Sequence, residues 1–161
     1  MLVKNRFTGN DIGEFNISSG ADLSGANLRD ADLSGANLIR ADLSGADLIR
    51  AKEIPEYATY TTMILPDGDL IGWKKCSDNV IVKLRIPSDA RRSNATSRKC
   101  RAEFADVIEV IGAEYAVSKY DNKTEYRVGQ RVTCNTWDED RWTECGGGIH
   151  FFITRYEAEQ Y

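Results

Sequence analysis

Five cationic side chains crowd into ARRSNATSRKCRAE, residues 90–103, among short neutral donors. Arg91, Arg92, Arg98, Lys99 and Arg101 supply charge; Ser93, Asn94, Thr96 and Ser97 supply hydroxyls and an amide. Phosphate oxygens call for this mixture, because guanidinium forks donate in pairs and short polar side chains fill the remaining lone pairs. The segment has no glycine and no GK[ST] sequence, so it is not a Walker loop. The same residues also read as a solvated basic loop paired with acidic groups elsewhere, and the spacing does not decide between the two. Residues 74–101 carry nine basic side chains against Asp78 and Asp89, a net of +7, which leaves −11 for the rest of a chain of net −4. This basic segment is the one strong electrostatic feature.

A second constellation is sulfur and imidazole. His150 is the only histidine, and the four cysteines are Cys76, Cys100, Cys134 and Cys145, none in a CxxC pair. Cys100 lies inside the basic segment, which favours a thiolate, so Cys100 and His150 are weak candidates for a nucleophile–base dyad. Cys76, Cys100, Cys145 and His150 also have the ligand types of a Cys3His zinc site. Free cysteines are more often packed as small hydrophobes, and we expect neither catalysis nor a metal. A third constellation, NTWDEDRWTECGGGIHF, ends in Gly146-Gly147-Gly148, which lets backbone approach a ligand or turn sharply into a strand. Trp137 and Trp142, with Arg141, read as base-stacking groups or as core. Asp138, Glu139 and Asp140 lack the alternating spacing of a calcium loop.

The elements that must hold these groups are mostly strands. Residues 2–17 read as a hairpin about Thr8-Gly9-Asn10-Asp11, and 56–86 as a β-meander with turns at Pro66-Asp67-Gly68 and Ser77-Asp78-Asn79. Val80, Val82, Leu84 and Ile86 alternate onto one face. SDARR could form a short helix; FADVIEVIG, TEYRVGQRV with a bend at Gly129, and GIHFFI read as strands. Thr154 and Glu157 form a capping box for a short terminal helix.

Between hairpin and meander, ADLSGANLRDADLSGANLIRADLSGADLIRA places Leu23, Leu28, Leu33, Leu38, Leu43 and Leu48 five apart, each two residues after an alanine. Steps of five fit neither a helix nor a flat strand. They need a chain that turns a corner once per repeat, with Ala and Leu pointing inward and Gly25, Gly35 and Gly45 easing corners. The pattern fails at Glu53 and Pro55. It resembles the pentapeptide-repeat family, A(D/N)LXX, which implies a right-handed four-sided β-helix. Six repeats make one and a half coils, a stack about 7 Å tall, too short to stand without its flanks. Some members of that family mimic DNA, but residues 21–50 carry a net of only −2, and duplex DNA carries about one charge per 1.7 Å over a longer site. DNA mimicry is therefore not expected. The second half, with IVKLRIP, RSNATSRKCRAE and DEDRWTECGGGIHFFITRYEAEQY, resembles an uncharacterised domain that follows pentapeptide repeats in many bacteriophage and some bacterial proteins. That likeness implies a phage-like origin and no mechanism.

The expected architecture is mainly β with α+β: a capping hairpin (1–20), a short quadrilateral β-helix (21–54) and a C-terminal α+β domain of mostly antiparallel strands (55–161). No apolar run approaches the roughly 20 residues of a membrane span, and the polar N-terminus is unlike a secretory signal. The expected location is the cytoplasm, that of the host if the protein is phage-encoded. The leading functional expectation is binding of a small anionic ligand, phosphate- or nucleotide-containing, by residues 91–101 with His150 beside them. In a phage setting this would sequester a host nucleotide signal, an anti-defence role. The alternative is an interaction module that inhibits or decoys a host protein; the third reading is a Cys100/His150 enzyme. No cofactor is called for, and a homo-oligomer stays open.

Overall fold

The computed structural model describes residues 1–161 and resolves into two compact units. The first comprises residues 1–64, 94–97 and 139–144; the second comprises 65–93, 98–138 and 145–161. The chain is mainly β, built from small antiparallel sheets.

The first unit begins with β1 (Leu2–Asn5) and β2 (Asp11–Glu14), an antiparallel hairpin in which Val3 lies opposite Gly13. β1 also pairs with β3 (Ala31–Asp32), placing Asn5 opposite Ala31. From residue 20 onward one hydrogen-bond scheme recurs every five residues. The amide two residues before each following alanine's turn is capped locally: Ser24, Arg29, Ser34, Ile39, Ser44 and Ile49 donate to Oδ1 of the Asp or Asn two residues earlier. Each leucine carbonyl then accepts from the amide three residues on, as in Ala41 N to Leu38 O at 3.0 Å. These two bonds make the corner, and they explain the second letter of the repeat as an acceptor that folds the chain back on itself.

Every corner requires a left-handed residue at its fourth position. Gly25, Gly35 and Gly45 alternate there with Asp30, Arg40 and Arg50, all at φ between 54° and 74°. Only glycine takes this conformation without steric cost. The Cβ of Ala at position 35 would meet no atom within 4 Å. Gly35→Ala should therefore cost about 1–2 kcal/mol through backbone strain alone, measured as a lower denaturant midpoint with an unchanged slope.

Four corners bring the chain back beside itself. Leu23 N donates to Asp42 O and Asp42 N to Ala21 O, both at 2.9 Å, and parallel bridges link Asp22 with Asp42, Asn27 with Asp47 and Asp32 with Lys52. The six repeat leucines are 0–4% exposed and form one cluster with Val3, Ala31 and Ala46. On the outside, Arg29 pairs with Asp47, Arg50 with Asp30 and Lys52 with Asp32 across successive passes.

Two distant segments complete this unit. Thr96 Oγ1 donates to Ala46 O (2.6 Å) and Gly45 N to Thr96 O. Arg141 donates to Thr59 O and Asn94 O, and lies over the ring of Trp142, which packs on the leucine cluster. Residues 56–62, expected to open a meander, instead form the helix α1 (Glu56–Thr62). The β-branched and aromatic residues of EYATYTT argue for a strand, but Pro55 starts the turn, Ala58 is fully buried, and Thr62 Oγ1 returns to Ala58 O at 2.7 Å. Packing overrides a weak local preference.

The second unit holds β4 (Leu70–Lys75), β5 (Ile81–Ile86), β6 (Arg92–Asn94, ending in the first unit), β7 (Cys100–Ala102), β8 (Phe104–Ile111), β9 (Ala116–Val117), β10 (Glu125–Tyr126), β11 (Arg131–Thr133), β12 (Ile149–Phe151) and α2 (Arg155–Gln160). A four-stranded antiparallel sheet runs β11-β8-β5-β4, and a three-stranded one runs β12-β7-β6. Phe152 joins them by exchanging both backbone bonds with Trp73 at 2.7 Å. Val82, Leu84 and Ile86 are fully buried as their alternation requires. SDARR is a turn followed by β6 rather than a helix: Ala90 N closes on Pro87 O, and Arg92 is drawn away to the carbonyls of Pro66 and Gly68. The Thr154–Glu157 capping box is present with both of its bonds.

Candidate functional site

β4 is where the apolar pattern breaks. Leu70, Gly72 and Lys74 share one face, since side chains alternate along a strand. Leu70 and Gly72 are buried, and an added Cβ on Gly72 would sit 2.5 Å from the Phe151 ring. Lys74 lies opposite Val82, which is fully buried. An ammonium thus occupies a place on the inward face where the strand calls for an apolar side chain. Its one hydrogen bond is to His150 O at 3.3 Å, and it lies 5.7 Å from the Tyr126 ring centroid. Burial pulls its pKa below the ordinary lysine range, the nearby positive charge of Lys99 adds to this, and Asp121 offsets part of it.

Lys74 opens into a cleft of two lobes that share Lys74, Tyr120, Cys145 and His150. The larger lobe, about 500 Å³, is also lined by Lys75, Lys99, Lys119 and Tyr161, and by no Asp or Glu side chain. Lys75 donates to Glu159 O (3.0 Å) and Lys99 to the Tyr161 hydroxyl (2.7 Å), with Cys145 Sγ 3.4 Å away. Burial lowers the pKa of Lys99, but its bond to Tyr161 and its other contacts outweigh this and leave it raised. The smaller lobe, about 230 Å³, has Ser118, Asp121, Thr124, Asn135 and Thr136 in its lining. The Asp121 carboxylate is held at a pKa of about 2, chiefly by the Thr124 hydroxyl at 2.5 Å.

One wall of the smaller lobe comes from the glycine run. A Cβ on Gly146 would strike Asp138 and one on Gly147 would strike Thr136, at 2.5 and 2.4 Å, so glycine is needed here for close packing of protein on protein. Arg101 fastens that wall. It is 1% exposed, donates to Asp138 O (2.6 Å) and Gly147 O (3.0 Å), and lies 4.6 Å over the Trp137 ring.

Of the residues that composition singled out, Lys99 and His150 line this cleft together. Arg91 forms a bidentate pair with Glu103, Arg98 pairs with Glu157 at 2.6 Å, and Arg92 and Arg101 hold carbonyls. Ser93 is buried in β6. Asn94, Thr96 and Ser97 belong to the first unit: Asn94 Nδ2 bonds to Thr62 O, and Ser97 Oγ contacts the Glu144 carboxylate. β7 and β12 set Cys100 opposite Phe151 and His150 opposite Arg101, so the Cys100 and His150 side chains leave the ladder on opposite faces. Cys76 and Cys100 are buried, and burial pushes the Cys76 thiol up to about 11. No three His, Cys, Asp or Glu side chains gather closely enough to hold a metal ion.

In the sequence Lys74 and Lys75 are two of the nine basic residues of 74–101, and Lys119 lies outside that segment. The signal for Lys74 was its place two residues beyond Gly72 and four beyond Leu70 on one face. Lys119 and Tyr120 carry no such signal, because only folding brings their loop to β4.

No helix is long and apolar enough to cross a membrane. No curated protein and no solved structure matches the chain. Residues 19–52 match the pentapeptide repeats, which agrees with the periodicity. Residues 60–158, well over half of the chain and including every lining residue of the cleft but Tyr161, match a family of unknown function, DUF5758, and the chain belongs to that family.

Proposed function

We propose that the second unit binds a small anionic ligand, phosphate- or nucleotide-like, in the cleft around Lys74. The observation that carries this reading is four lysines on a single lobe without an acidic side chain in its lining. Lys74, Lys75 and Lys119 have no carboxylate in ion-pair range, in a protein whose surface arginines are mostly paired. Holding like charges together in a partly dry cavity is unfavourable, and an anion relieves it. Tyr120, which is 89% exposed, offers a ring face for a planar group, and the smaller lobe offers hydroxyl and amide partners. In the phage setting that the sequence resemblance implies, such binding would withdraw a host nucleotide signal.

For residues 21–52 we propose a short right-handed four-sided β-helix. A corner every five residues and a return beside itself after 20 support four sides; the family resemblance supplies the hand.

The test of the binding reading is a thermal-shift panel of inorganic phosphate, pyrophosphate and mono-, di- and cyclic nucleotides. At least one raises Tm, and the shift shrinks as salt rises, because screening weakens the lysine contacts. A flat panel at millimolar ligand ends this reading and favours an interaction module directed at a host protein.

A further inference from the structure

We propose that Lys74 is an amine nucleophile that captures an anionic aldehyde or ketone as an imine. This rests on the anion-binding reading of the cleft and adds a reaction to it.

The geometry separates Lys74 from its neighbours. Lys75 is tethered to Glu159 O, and Lys99 is held by the Tyr161 hydroxyl. Lys119 stands on the loop between β9 and β10. Lys74 alone rises from the inward face of a sheet, and its side chain reaches both lobes. A ligand whose acidic group sits among Lys75, Lys99 and Lys119 would bring a carbonyl carbon toward the Lys74 nitrogen. With only a long bond to a backbone carbonyl to give up, that nitrogen exchanges little on reacting. Burial and the nearby positive charge of Lys99 also enlarge its neutral fraction.

The step balances without an oxidant or reductant. The neutral amine nitrogen adds to the carbonyl carbon, forming a C–N bond and a carbinolamine. The carbinolamine oxygen then leaves as water with the two protons that the nitrogen carried, and the C=N bond takes the place of C=O. Hydrolysis reverses the reaction, so the capture is reversible.

Pyridoxal phosphate is a suitable probe because it joins an aldehyde to a phosphate. The full chain is incubated with it at pH 7, reduced with cyanoborohydride and mapped by peptide mass spectrometry. The expected result is labelling concentrated on Lys74 over every other lysine. Inorganic phosphate should suppress it, and pyridoxal without phosphate should label Lys74 less than pyridoxal phosphate does. The Lys74→Arg variant keeps a cation and loses that adduct. If phosphate and pyridoxal phosphate raise Tm but label spreads over Lys75, Lys99 and Lys119, or no adduct forms, the nucleophile is refuted and the binding reading stands. If neither compound shifts Tm and Lys74 is not labelled, both fall.

Discussion

Leu38→Asp abolishes the ordered first unit. Leu38 is 1% exposed in the cluster of repeat leucines, and its carbonyl closes a corner onto Ala41. A carboxylate there has no donor within the dry interior, so it must either stay charged at a cost of several kcal/mol or take up a proton and remain poorly bonded. Leu38→Ala, which only empties space, should cost about 2–5 kcal/mol. The Asp variant should exceed it, which in a stack this short leaves little to keep successive passes together. The measurement is amide hydrogen exchange over residues 21–52: protection of the Leu23, Leu28 and Asp42 amides disappears in Leu38→Asp. The outward control is Asp32→Asn, which keeps the Oδ1 acceptor for Ser34 and gives up an exposed ion pair with Lys52; its exchange stays close to wild type. Equal loss of protection in the two variants would mean that the leucines do not face inward.

The repeat was legible because its physics is local. Leucine every fifth residue, alanine two before it and Ser-Gly between them state where the chain turns and what it buries. The Asp and Asn bonds at each corner could have been anticipated from their tendency to cap an amide two residues on, yet they read first as outward polar residues. Strands carried by alternation, such as IVKLRI, and the terminal helix carried by its capping box were equally readable. Residues 56–62 were not, because Ala58 becomes a core residue only when distant segments close over the repeats.

The site was legible as chemistry and not as a place. A basic stretch in an acidic chain points to Arg91, Arg92, Arg98 and Arg101, whose partners are respectively Glu103, the carbonyls of Pro66 and Gly68, Glu157, and the carbonyls of Asp138 and Gly147, up to 59 residues away. Sequence spacing cannot say which cations will be paired. The distinction matters, because a guanidinium already bound to carboxylate has less to offer a ligand than an ammonium with no counter-charge. Lys99 and His150 reach the cleft because β7 and β12 are neighbours, a pairing between residues about 50 apart.

Lys74→Met should make the unliganded protein more stable and the binding site worse. Methionine fills a similar volume on the inward face of β4 beside Val82 and removes a desolvated charge. Exchange of a half-buried, desolvated charge for apolar packing of similar size commonly stabilises, here by roughly 1–2 kcal/mol. The pH dependence separates this from mere improved packing. With its pKa in the folded state below the ordinary value of 10.5, Lys74 binds fewer protons when folded than when unfolded. Stability of the wild type therefore rises with pH between the folded-state pKa and 10.5, because the unfolded chain holds the extra proton. Cys76, Tyr126, Lys99 and Asp121 surround the same amine and are kept in the variant, so subtracting the two profiles leaves Lys74 and its coupling to the Cys76 thiol. The difference should be largest at neutral pH and shrink as pH climbs toward 10.5. For whichever anion the panel identifies, affinity should fall about ten- to a hundredfold, the loss of one charge-assisted hydrogen bond of about 1.5–3 kcal/mol. A variant less stable than wild type at neutral pH, with affinity intact, would mean that Lys74 is an ordinary surface cation and that the cleft is not organised around it.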